Sequence, residues 1–181
     1  MKSIQTFFCT AVIAALLAGC GSGIEIDDGS GMQSIRIHDG NVVIHKSGAP
    51  EADISASGDL SIDDKVVPVT PAQRDLLKQY YTQVLVVRAN GLATGKAGAA
   101  MAGHAIGSVA SGLIHGDPDS IGPAVDAQEK QVEAKAMTVC TAFDVLRTKQ
   151  NAIADSLPAF KPYASINNKP DDDCRSHITK R

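Results

Sequence analysis

The residues of this chain best suited to specific chemistry are its four cysteines and five histidines. Two histidines stand among acids: His115 beside Asp117 and Asp119, and His177 after Asp171, Asp172 and Asp173. Imidazole and carboxylate together could hold a divalent ion, but neither group has the ligand order of a zinc site or an EF-hand loop. No metal site is expected, and the "DDD" run reads as a solvated acidic turn. His104 reads as a surface or half-buried histidine. Neither a G-x-S-x-G elbow nor an H-E-x-x-H pair occurs, so hydrolysis has no motif behind it. The expectation is a non-enzyme, with no catalytic residues and no cofactor. There is no tryptophan and only 4% aromatic content, which argues against an aromatic-lined ligand pocket.

The cysteines sort by position. Lys2 precedes an apolar run over residues 7–18, the length of a signal-peptide core and short for a membrane span. Its end, Leu17-Ala18-Gly19-Cys20, resembles the bacterial lipobox, which is cleaved before the cysteine whose thiol then carries diacylglycerol. The resemblance implies a lipoprotein signal over 1–19 and lipidation at Cys20. Gly21 in place of an Asp implies sorting to the outer membrane, with the chain facing the periplasm. Several acyl chains on one residue anchor firmly where a single chain binds only marginally. Cys9 would leave with the signal. Cys140 and Cys174 then remain as a pair in an oxidising compartment, which suits a structural disulfide, with two free thiols as the alternative. Closing a loop of that length stabilises by about 4 kcal/mol in the chain-entropy account. Without Lys2, 16 cations face 20 acids, a balance that argues against a nucleic-acid partner.

These residues must be positioned by elements whose patterns are legible. Residues 20–32 are rich in Gly and Ser and suit a flexible tether, with a short strand over 24–26. Over 33–69 an internal repeat of 25 residues appears, "IRIHDGNVVI" and "LSIDDKVVPV". Each copy reads as a hairpin. With Asp39-Gly40 at the turn, Ile37 opposes Val42 and Ile35 opposes Ile44, all on one face. With Asp64-Lys65 at the second turn, Ile62 opposes Val67 and Leu60 opposes Val69. A connecting strand is expected over 53–56, and Pro68 pushes its strand to an edge.

Residues 70–181 read as a helical hairpin with a tail. "TPAQ" at 70–73 is a capping box, Thr70 being the N-cap and Gln73 reaching back. Leu77, Tyr80, Val84, Val87 and Gly91 follow a 3-4 spacing that marks a seam. A second helix, starting near Gly122-Pro123 and stopping before Pro158, carries its seam on Val132, Ala136, Val139, Phe143, Leu146, Gln150, Ile153 and Leu157. The fold class expected is therefore α+β: a short antiparallel β-hairpin repeat, then an antiparallel helical hairpin and a disulfide-pinned C-terminal tail.

Between the seams lies "GLATGKAGAAMAGHAIGSVASG", residues 91–112. Gly91, Gly95, Ala99, Gly103, Gly107 and Ser111 recur at four-residue intervals, leaving one stripe almost bare. The pattern resembles the glycine zipper of several bacterial envelope lipoproteins, the SlyB type among them. Six glycines cost about 5–6 kcal/mol relative to alanine, so the expectation is close packing of the stripe within the chain or in an oligomer. Membrane insertion and flexible chain are the alternatives. Lys96 and His104 count against a lipid span.

The order of a short β segment, Val69-Thr70-Pro71-Ala72-Gln73, a small-residue helix, a helical cysteine, "FKPYA" at 160–164 and a late cysteine resembles the YggN-type family of proteobacterial envelope proteins, which has no established molecular function. The resemblance implies the Cys140–Cys174 bridge. The function expected is that of a non-enzymatic interaction or assembly module, anchored to the membrane through lipid on Cys20 and partnered by a second copy or another envelope protein. The alternatives are a membrane-active protein that inserts its glycine-zipper hairpin, and a ligand or peptide binder using the β repeat's open edge.

Overall fold

The computed structural model describes residues 23–24, 33–115 and 121–166, with side-chain surroundings for 33–103, 107 and 129–166. The fold is α+β. Six antiparallel strands follow one another in chain order as a meander: β1 (Gly23–Ile24), β2 (Gln33–His38), β3 (Asn41–Lys46), β4 (Ala52–Ile54), β5 (Leu60–Ile62) and β6 (Lys65–Val67). Two long helices come next, α1 (Pro71–His115) and α2 (Ile121–Ser156), and a 3₁₀ helix spans Pro158–Tyr163. β1 extends the sheet into the stretch expected to be tether.

The first hairpin has the expected register, Ile37 opposite Val42 and Ile35 opposite Ile44. Asp39 and Gly40 both have positive φ, 47° and 80°, as a two-residue turn with the twist of the flanking strands requires. The second hairpin corrects the expected pairing. Its turn is Asp63-Asp64, so Leu60 opposes Val67 and Ile62 opposes Lys65. Both turn residues have positive φ, 54° and 59°. Aspartate tolerates that conformation better than lysine, and the earlier turn ends the strand before Pro68, which cannot donate to a ladder. β6 is the edge strand that Pro68 implies.

The registers align two apolar rows across one face of the sheet. Ile35, Ile44, Ala52 and Ile62 form one; Ile37, Val42, Ile54, Leu60 and Val67 form the other. Against them pack Leu77, Tyr80, Val84 and Val87 of α1 and Ala142, Leu146, Ile153 and Leu157 of α2 or its end. Full burial of a side chain of this size contributes about 1.5–3 kcal/mol.

The Thr70 capping box closes both ways: the Thr70 amide donates to Gln73 Oε1 at 2.9 Å and the Gln73 amide to Thr70 Oγ1 at 3.3 Å. Gln73 Nε2 also donates to the Ser156 carbonyl at 2.6 Å, Lys149 to Gln79 at 2.9 Å, and Gln83 to the Ala142 carbonyl at 2.8 Å. These three bonds run in opposite directions along the two helices and define an antiparallel hairpin. After α2 the chain turns back. Phe160 and Tyr163 enter the core, Tyr80 meeting Phe160 edge-on at 5.8 Å and Phe160 lying 6.0 Å from Tyr163. Tyr163 Oη donates to the Pro50 carbonyl at 2.8 Å, joining the tail to the loop before β4.

Candidate interaction surface

The buried part of the hairpin ends early. From Arg88 to Gly103 on α1, and from Glu129 to Val139 on α2, no described side chain is buried. The helices therefore run past the sheet as an arm. The 28 residues from Arg88 to His115 span about 42 Å at the α-helical rise.

On the arm Asn90, Thr94, Ala97, Gly98 and Met101 of α1 are half-buried. Gly91, Gly95, Ala99, Gly103 and Gly107 are exposed. A Cβ added at Gly91, Gly95, Gly103 or Gly107 would meet no other atom within 4 Å. Of the two settings expected for the stripe, these positions are open in the single chain; Ser111 lies on α1 with its side chain outside the described residues. The reason is angular. Gly91 and Gly95 follow Val84 by seven and eleven residues, within about 20° of it on the helix, so they prolong the core-facing side beyond the core. A strict four-residue repeat then advances about 40° per step, carrying Ala99, Gly103 and Gly107 progressively round the helix.

The other side of the hairpin carries an open groove of about 510 Å³, lined by Gln83, Val86 and Asn90 from α1 and Met137, Thr138, Thr141, Ala142 and Val145 from α2. Val86 and Val145 are each 40% exposed, and Leu92 at 57% lies farther along. Its lining mixes uncharged polar and apolar side chains and contains no titratable group. Sequence reasoning missed this groove because no single helix contains it.

Displaced pKa values lie at the sheet end. Hydrogen bonds from Ser57 and Arg74 hold the Asp59 carboxyl below its ordinary value. Arg74 also pairs with Asp59, tying the β4–β5 loop to the first turn of α1. Burial, then the neighbouring Glu51 and Asp64, pushes the Asp53 carboxyl up. Burial raises the phenols of Tyr80 and Tyr163 as well. Arg36 meets Glu51 at 2.6 Å on the sheet's outer face. Each is accounted for by a structural contact, and none adjoins the groove.

Cys140 lies on α2 and is 1% exposed. Cys20 and Cys174 lie outside the described residues, as do Asp117, Asp119, His177 and the three aspartates before it. Among the described residues, no group of three His, Cys, Asp or Glu could hold a metal ion, and no helix is long and apolar enough to cross a membrane.

A family model described as "Protein of unknown function (DUF2884)" matches residues 30–123, which hold β2–β6 and α1. No curated protein and no solved structure matches the chain.

Proposed function

Since the chain belongs to the DUF2884 family, a family of unknown function, we propose its role from its surfaces: a non-enzymatic interaction or assembly module of the bacterial envelope, held at the outer membrane by lipid on Cys20 and facing the periplasm. The observation that carries this reading is the arm. It bears Gly91, Gly95, Gly98, Gly103 and Gly107 in a helix, each costing about 1 kcal/mol relative to alanine, with no described side chain buried along it. Two helices in that condition are marginal in water alone, because helical stability in proteins comes mainly from tertiary packing. A partner that covers the bare stripe supplies the missing packing, since small residues let backbones approach closely.

Anchoring is supported by the lipobox-like Leu17-Ala18-Gly19-Cys20. The Cys140–Cys174 bridge is part of the proposal. Cys140 is buried, at 1% exposed. Ile166, whose amide donates to Gln150 at 3.3 Å, brings the chain beside α2 eight residues before Cys174. Ten helical residues separate Gln150 from Cys140, about 15 Å. Eight extended residues span up to about 26 Å, so the bridge is within reach.

The test is a photo-cross-linking residue at Ala99 of the full chain in the intact envelope. Adducts with a second copy or another envelope protein are expected. Adducts with lipid alone would overturn the reading in favour of membrane insertion. Mass spectrometry without reductant tests the bridge, and two alkylatable thiols would sink it.

A further inference from the structure

The junction of sheet, hairpin and tail contains a polar cluster that the interaction reading does not use. Gln33, at the start of β2, is 5% exposed, and Gln150, on α2, is fully buried. Gln33 Nε2 donates to the Tyr163 carbonyl at 3.1 Å, while Gln150 Oε1 accepts from the Ile166 amide at 3.3 Å. The two side-chain amides thus clamp the two ends of residues 163–166, a stretch at most about 10 Å long. These bonds also fix which way round each amide lies. What remains is one buried acceptor, Gln33 Oε1, and one buried donor, Gln150 Nε2, each without a protein partner. Between the clamped ends stands Ser165, whose buried Oγ is likewise unpartnered, and the Tyr80 hydroxyl is a fourth such atom.

We infer that Gln33, Ser165 and Gln150 enclose a site for one or two water molecules that seals residues 163–166 onto the core. The chemistry selects the ligand. Gln33 Oε1 only accepts, Gln150 Nε2 only donates, and Ser165 does both. An anion would face the Gln33 oxygen and a cation the Gln150 amino group, whereas water satisfies all three. Buried waters characteristically make about three hydrogen bonds to polar groups otherwise left unmatched. Each of these atoms is closed off from solvent.

Two measurements on the full chain test this. A crystal structure at high resolution should show water within hydrogen-bond distance of Gln33 Oε1, Ser165 Oγ and Gln150 Nε2; residues 163–166 ordered with no such water would overturn the site. Oxygen-17 relaxation dispersion should count at least one fewer long-lived water in Gln150→Met or Ser165→Val than in the parent chain. An unchanged count in both folded variants would also overturn it. Should either substitution prevent folding, Ser165→Ala offers a milder change, and the crystallographic measurement stands independently.

Discussion

Gly58 and Gly40 have almost the same φ, +79° and +80°, in different surroundings. A side chain at Gly40 would meet open space, while one at Gly58 would run into the Arg74 carbonyl oxygen and the Lys78 and Arg74 side chains. Gly40→Ala should therefore cost about 1–2 kcal/mol, the left-handed penalty alone. Gly58→Ala should cost clearly more, because helix and loop must also separate, and urea unfolding of the two variants side by side measures the difference. Asp59, in the same loop, carries a pH prediction. Its folded pKa is depressed, so its contribution to stability is present above the ordinary carboxylate value and is lost as pH falls through the folded value. Asp53 is shifted the other way, so it destabilises once ionised and that cost is relieved on acidification. Melting temperature followed from pH 7 to pH 3 should fall less steeply in Asp59→Asn than in the parent, and more steeply in Asp53→Asn.

At the scale of elements, the arm makes opposite demands on the free and the partnered chain. Gly91→Ala and Gly95→Ala meet no obstacle, so in the purified chain each should raise stability by up to about 1 kcal/mol, read by thermal melting. The same changes should weaken cross-linking at Ala99 if the stripe is a contact. Stabilisation with undiminished cross-linking would move the contact elsewhere. How legible each element was depends on how local its determinants are. Asp39-Gly40 names its turn, and the 4-3 seam of α2 from Leu146 to Leu157 is buried as its spacing implies. The second hairpin was misplaced by one residue because Asp63, Asp64 and Lys65 offer two turns, and only backbone tolerance for positive φ chooses between them. The stripe was visible as a pattern but not as a surface, since its facing depends on where the sheet stops. Phe160 and Tyr163 sit among prolines without periodicity, so nothing local marked them as core.

Across the whole molecule, the core is closed by its last described segment. Phe160 is fully buried among sheet, helix and Tyr80, and Phe160→Ala should cost about 3–5 kcal/mol in urea unfolding. Leu92→Ser, on the exposed arm, should stay within about 0.5 kcal/mol in the same assay. The contacts that close this core are also very distant in sequence: Gln33 reaches Tyr163 across 130 residues, and Tyr163 reaches Pro50 across 113. A ribosome delivers the sheet first and the tail last. Until Phe160 and Tyr163 emerge, the core lacks its last two aromatic side chains, and incompletely packed intermediates are prone to aggregate. Truncation after α2 should therefore leave a product that degrades or clumps however well its sheet is formed.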